Sequence, residues 1–533
     1  MLARSLASGV AGLAACGIVL ALAWQSGGYF PDATLRAGCV AFAVLAVLLV
    51  ARPPAWTVSG PSLLALAALG TFAAWTGLSS RWSAMPDVAL EDFQRDLVYA
   101  GLFGLALVAA GSGRYSRHLA WAVLGSAVAI CVAGLTSRLY PGWFGATAQP
   151  DALAGYRLAY PLAYWNAFGA LGAMAVVLAA GHAADPRSHP ALRGLASAGA
   201  VVAGTAAYLS FSRGGWLGFF AGATVLLVLA AHRVQLLLTL AIAGGALALA
   251  LLRLRGYDGL TQAAGAGAGQ AAEGRAFAPF LLGAALAAGA LQAVVASVVV
   301  PEHARASLAH GARRVAPWAA GVVLLAGAGG YVAFRVQAEG HAQAQLDAAD
   351  RWVSRQWREF MRPATFSASG AQRLTSARGT RSDLYRVAID GFEAHPLRGD
   401  GSGSFQVRFA HDRKVDEKVR DAHSLYLETL GELGLPGILA LLAFVGSIVW
   451  AGVAGRRRAG ALGRGQAAAV LAAVSVWIGH AMVDWDWQVP ALTGTALVLA
   501  AALFPTGRPG RVKRRSRSAA AGTVLGARSQ SRP

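Results

Sequence analysis

Residues 195–231 read LASAGAVVAGTAAYLSFSRGGWLGFFAGATVLLVLAA. Two apolar runs, 195–211 and 215–231, flank a turn that carries one charge, Arg213. Each run is near the minimum length for a helix crossing a bilayer core. Lipid offers the backbone no hydrogen-bonding partner, so such runs are expected to be helices that satisfy themselves. Working outward, runs of this kind recur near 6–24, 34–51, 61–79, 96–111, 118–136, 161–181, 234–252, 277–300, 316–335, 435–454, 466–483 and 490–505. The fold class expected is therefore all-α, a polytopic membrane bundle of about fourteen transmembrane helices.

Composition agrees. Of 533 residues 56% are hydrophobic and only 14% charged, against roughly 25% charged in a soluble domain. That excludes an ordinary soluble enzyme. The 65 glycines suit close helix packing. Cys16, Cys39 and Cys131 all lie in apolar runs and form neither a disulfide framework nor a zinc spacing. Leu13-Ala-Ala-Cys16 imitates a lipoprotein cleavage site. Apolar sequence nevertheless continues through Trp24, so a retained first helix is expected.

The net charge of +20 first suggests nucleic acid. Its distribution argues against that. With the N-terminus cytoplasmic, 22 basic residues fall in the inner segments and only Asp185 and Glu302 oppose them. Arg114, Arg117, Arg187, Arg193, Arg233, Arg456, Arg457 and the tail 506–533 belong to this set. The excess is the positive-inside signature of a multi-pass protein with both termini cytoplasmic, and no nucleic-acid partner is expected. The tail reads as a disordered basic end against anionic lipid.

Four regions follow: an N-terminal bundle of about eleven helices over 1–335, a long loop over 336–433, about three C-terminal helices over 434–505, and the tail. The loop is expected outside the cytoplasm. It is charge-balanced, with 14 basic and 14 acidic residues. A loop of that length inside a compact protein is usually functional. Leu346, Val353, Trp357 and Phe360 share one helical face, which would lie at the membrane interface or cap the loop. A second helix is expected over Ser424–Leu433, stopped by Gly434 and Pro436. The Ala/Gly-rich segment Thr261–Gly274 reads as flexible.

Polar residues that could do chemistry concentrate at the outer ends of the spans. Arg213 is costly at membrane depth and reads either as an anion ligand or as a snorkelling helix-end residue. The loop holds the glycine-rich turn His395-Pro-Leu-Arg-Gly-Asp-Gly401, and then Asp421-Ala-His-Ser-Leu-Tyr-Leu-Glu428. His423 precedes a helix, where capping competes with catalysis. Arg157, Asn166, Asp484 and Asp486 lie among Tyr and Trp residues that an interfacial belt explains. The four polar residues are candidates to line a cavity. No HExxH, nucleotide-binding loop or acidic metal cluster occurs in the sequence.

Taken in order, Ser212-Arg-Gly-Gly215, the large loop, the 395–401 turn, His423-Ser-Leu-Tyr-Leu-Glu428 and Gly434-Leu-Pro-Gly437 resemble the O-antigen ligase/O-antigen polymerase family. The similarity spans about 205–442. Arg157–Gly169 and Asp484–Trp487 are more loosely similar to segments of actinobacterial-type relatives. The resemblance implies a GT-C-like bacterial cytoplasmic-membrane glycosyltransferase whose donor is an undecaprenyl-diphosphate-linked glycan. The acceptor hydroxyl would belong to a glycan, lipid or protein on the outer face, with no metal or nucleotide cofactor. It further implies His423 as the general base, and Arg213, Arg157 and Arg398 as ligands of the diphosphate. The chain carries more spans than is usual for the family. Ligase and polymerase share these motifs. A flippase for the same lipid-linked glycan, or a non-catalytic assembly protein, are the readings from other classes. A flippase would favour inverted repeats and polar residues at mid-span, whereas the charges here sit at span ends.

Overall fold

The computed structural model describes residues 2–51, 60–111, 113–144, 156–262, 268–298, 381–415, 418–457 and 462–504. Every regular element among them is helical. The first five helices are α1 (Leu2–Ala23), α2 (Pro31–Ala51), α3 (Gly60–Ser79), α4 (Pro86–Ala110) and α5 (Gly113–Leu139). Next come α6 (Trp165–Ala183), α7 (Pro190–Leu209), α8 (Arg213–Leu229), α9 (Arg233–Leu254), the short α10 (Asp258–Thr261) and α11 (Ala268–Ser297). The remainder are α12 (Arg381–Ala394), α13 (Phe405–Asp412), α14 (Leu425–Arg457), α15 (Gly463–His480) and α16 (Pro490–Ala501).

Local chemistry sets several of the starts. Pro86, Pro190 and Pro490 occupy first-turn positions, where a missing N–H costs nothing. Ser212 caps α8 by accepting the Gly215 N–H at 3.0 Å.

Ten helices, α1–α7, α9, α11 and α14, are long and apolar enough to cross a membrane. Two shorter apolar helices, α8 and α16, add to these. A helix therefore covers every expected run except 316–335, which lies outside the described residues. Among the described residues the spans that meet that measure number ten, because α8 and α16 are short and α15 carries Arg464, Gln466, Ser475 and His480.

Burial orders the bundle. Every residue of α16 is buried, as is most of α6 and α15, whereas α2, α9 and α11 are mainly exposed. Exposed Leu13, Val47, Val50 and Leu195 fit an apolar surround. The helices α6, α8 and α15 pack on one another through small residues. A Cβ on Gly218 of α8 would sit 2.7 Å from the Val476 carbonyl of α15. That approach is the small-residue packing membrane helices use when burying apolar surface gains nothing over lipid.

Two local readings need correction. Of the segment read as flexible, residues 268–274 open α11, with Gly274 directly against the Leu139 backbone, while 263–267 lie outside the described residues. Gly434 (φ 60°, ψ −159°) kinks α14 without ending it, so the expected short helix and the span after it run on together. The amphipathic face of Leu346, Val353, Trp357 and Phe360 and the tail 506–533 lie outside the described residues.

Candidate functional site

The α15–α16 connection dips into the bundle and carries Asp484, whose side chain is completely buried. A carboxylate in that position has to be paired. Asp484 is paired heavily. Its Oδ1 accepts from the Tyr164 hydroxyl at 2.6 Å and the Trp485 N–H at 3.0 Å, and lies 3.2 Å from His423 Nδ1. Its Oδ2 accepts from Asn166 Nδ2 at 2.6 Å and from an Arg381 guanidinium N–H at 3.1 Å.

Three chain segments thus meet on one carboxylate: the start of α6, the start of α12, and the stretch leading into α14. Burial alone would push the Asp484 carboxyl up. The His423 hydrogen bond and the charges of His423, Arg381 and His480 outweigh it and hold the group well below the usual carboxylate range. Burial and the same carboxylate push the Tyr164 phenol well above its ordinary value, so it stays a donor. Burial opposes the Arg381 charge, but Asp484 over-compensates and raises it.

In the neutral ring, Asp484 at Nδ1 favours the proton on that nitrogen and the lone pair on Nε2. His423 is one quarter exposed. Its backbone has φ 52°, and its carbonyl accepts from the Tyr385 hydroxyl at 3.2 Å. A non-glycine residue held in this region costs on the order of 1 kcal/mol and clusters at functional sites. The N–H of Leu425 bonds to the Ala481 carbonyl at 2.9 Å, which fixes the start of α14 on the end of α15.

The α8 N-terminus lies at the same end. Ser210 and Ser212 pack against Gly169, one turn along α6 from Asn166. Arg213 is the first residue of α8 and half-buried. Its neighbour Gly214 abuts the His480 ring, where a Cβ would lie 2.9 Å from Nε2. His480 Nδ1 in turn bonds Asp486 at 2.7 Å, and both side chains are fully buried. Burial raises the Asp486 carboxyl despite His480. Arg157 belongs to the same neighbourhood. Its guanidinium stacks 3.5 Å over the Trp165 ring, and the Leu158 N–H bonds the Leu209 carbonyl at 3.0 Å, beside the Arg213 turn. Trp485 lies against Tyr164, with centroids 4.3 Å apart, and edge-on to His423 at 6.2 Å.

The structure therefore gathers His423, Asn166 and Asp484 by direct bonds, with Arg157, Arg213 and Asp486 around them. Arg398 is placed elsewhere. It is exposed on a turn docked along α14, through Gly401 N to Glu432 O at 2.7 Å and Leu435 N to Pro396 O at 2.9 Å. Those docking points are nine and twelve residues beyond His423, a helical rise of about 14–18 Å. The hydroxyls of the glycine-rich turn bind the bundle: Ser402 Oγ donates to Asp92 Oδ2 at 2.7 Å, and Ser83 Oγ to the Ser402 carbonyl at 2.7 Å.

Sequence reasoning passed over Arg381, Tyr164 and His480. Arg381 is one of fourteen basic residues in its loop, Tyr164 reads as an interfacial aromatic, and His480 lies inside an apolar run. Only the fold distinguishes them. Among the described residues no group of three or more His, Cys, Asp or Glu side chains could hold a metal ion. No curated protein matches the chain. The arginine-headed α8, the loop and the histidine before α14 all fall within residues 198–442, the segment that matches the family model described as O-antigen ligase.

Proposed function

We propose that the protein is a membrane glycosyltransferase that moves a glycan from an undecaprenyl-diphosphate carrier to an acceptor hydroxyl on the outer face of the bacterial cytoplasmic membrane. The observation that carries this reading is the His423–Asp484 pair with Arg381 on the same carboxylate. His423 Nε2 takes the proton from the acceptor hydroxyl while Asp484 holds the ring's tautomer and stabilises the imidazolium that forms. The acceptor oxygen attacks the anomeric carbon, the bond from that carbon to the phosphate oxygen breaks, and undecaprenyl diphosphate leaves with the electron pair. A single displacement inverts the anomeric centre. Arg381, Arg213 and Arg157 receive the diphosphate, since a guanidinium is always charged and its fork matches phosphate oxygens. The aromatic floor of Tyr164, Trp165 and Trp485 offers flat faces to a sugar ring.

Purified protein with a synthetic lipid-linked glycan and an acceptor tests the proposal. The expected result is transfer with stoichiometric release of undecaprenyl diphosphate, lost in His423→Ala and Arg213→Ala while both variants still insert into membranes. Full activity in those variants would overturn the assignment, and translocation without diphosphate release would make the protein a flippase. Extension of the donor's own glycan, in place of transfer to a separate acceptor, would identify a polymerase.

A further inference from the structure

The opposite end of α6 holds a second buried carboxylate that the transfer reaction does not use. From Trp165 to Ala183, α6 rises about 28 Å, so this end lies a membrane thickness from Asp484. Asp185 follows α6 and its side chain is fully buried. Its Oδ1 accepts the Arg187 N–H at 3.1 Å and lies 3.5 Å from Arg187 Nε. Its Oδ2 is buried with no partner among the described residues. A carboxylate oxygen taken out of water and left unpaired is costly, and its presence points to a group that satisfies it.

A cavity meets Asp185. It encloses about 240 Å³, part of it open to the surroundings, and is lined by Asp185, His232, Gly465 and apolar Leu226, Ala230 and Leu236. Its interior admits a group no larger than a water molecule or an ammonium. Burial pushes His232 below its ordinary value against the pull of Asp185, so this ring supplies no lasting positive charge. The neighbouring arginines are committed to carbonyls: Arg117 to Arg187 O at 2.9 Å and Arg193 to Ala183 O at 2.6 Å. Arg187 also gives one Nη to a carbonyl, that of Leu462 at 2.5 Å, but it stays the most open of the three. Its side chain is 43% exposed, next to the cavity and beside Asp185.

We propose that this end binds the head group of a phospholipid bearing a primary ammonium, with the ammonium on Asp185 and the phosphate on Arg187. The charges are complementary in order and spacing, since a carboxylate and a guanidinium side by side mirror an ammonium and a phosphate on one short linker. Size selects a primary ammonium, because a trimethylated one is bulkier and has no N–H to donate. The apolar wall and the exposed Val228 and Leu238 nearby leave the acyl chains on lipid-facing surface. Basic pockets between membrane helices are known places for lipid head groups; here a buried acid adds selectivity for the amine.

The test is lipid competition on the full-length protein, by native mass spectrometry and by melting temperature in defined mixed micelles. The expected result is retention of an ethanolamine phospholipid about ten-fold over its choline counterpart, the size of one charge-assisted hydrogen bond. Asp185→Asn should abolish that preference while donor turnover at the Asp484 end persists. Gly465→Ala is the second variant. Its Cβ would stand 3.3 Å from His232 and 3.9 Å from Asp185 Cγ, narrowing the cavity without touching the charges. Equal binding of the two lipids by the unmutated protein would overturn the proposal and mean that water alone fills the cavity. So would an ethanolamine preference that survives both substitutions. Neither result bears on glycan transfer, which is measured separately.

Discussion

Asp484→Asn removes one charge from the centre of the candidate site while nearly preserving its shape. In the parent, five donors converge on the carboxylate, from Tyr164, Asn166, Arg381, His423 and Trp485. An amide offers one acceptor oxygen, and its NH2 must face either two or three of those donors. Placed at the Oδ2 position, the NH2 opposes Asn166 and Arg381. Breaking a buried charge pair in this way costs about 3–5 kcal/mol of stability. The catalytic loss has the same origin. Without the carboxylate, neither the Nδ1–H tautomer nor the imidazolium of His423 is favoured, and such a change lowers kcat by roughly 10²–10⁴. The assay is undecaprenyl-diphosphate release at saturating donor, paired with a melting curve. The expected result is a folded, less stable protein whose kcat falls far more than its donor KM rises. Asp484 is held below the usual carboxylate range, so its contribution to stability is present above the unfolded value and is lost only as pH falls through the lower folded one. Over pH 5 to 9 the deficit of the variant should therefore be constant. An unchanged kcat, or a deficit that vanishes at neutral pH, would refute the reasoning.

Arg381→Lys keeps the charge but loses the fork that could hold Asp484 and a phosphate together, so donor KM should rise about ten-fold or more, read from initial rates. Tyr164→Phe deletes one of the five donors and should lower kcat by about ten-fold, equivalent to a hydrogen bond to a charged group. Asp421 is raised to about 6 by burial. A raised acid contributes stability below its unfolded value that is lost as pH rises through the folded one. The parent should therefore lose up to about 3 kcal/mol relative to Asp421→Asn between pH 4 and 7, seen as diverging melting temperatures. Gly399→Ala places a side chain at φ 67° directly on the Glu432 backbone and should undock the 395–401 turn, with a loss exceeding about 2 kcal/mol in thermal unfolding.

The architecture was legible because lipid imposes one rule on every segment. An apolar run such as 195–211 has to become a helix, and the starts of α4, α7 and α16 are marked by proline. Length alone does not account for the 12-residue α16, which falls below that rule and is buried along its whole length. Gly434 and Pro436 correctly marked a break in helical geometry. They could not show that the chain resumes its helix, because the docked 396–401 turn, not the local sequence, holds the kink. Within the site, Arg213 and His423 were visible because a charge beside apolar runs is anomalous. Arg381 was not, since a salt bridge to a residue 103 positions away leaves no local trace.

The proposed binding of a diphosphate rests on a few placed arginines. The long loop is neutral and supplies no general field. Asp486 is matched by His480, and Asp484 by Arg381 and His423, so the buried acids are already answered inside the fold. Arg213 at the head of α8 and Arg157 over the Trp165 ring are the guanidiniums proposed to meet the phosphates, and α8 adds its own positive end. Beside buried helices such as α6 and α15, the attraction of a guanidinium for a phosphate exceeds its value in bulk water several-fold. In the proposed mechanism His423 depends on Asp484, which lies beyond the 198–442 match, so that mechanism needs the C-terminal helices as well as the matched segment.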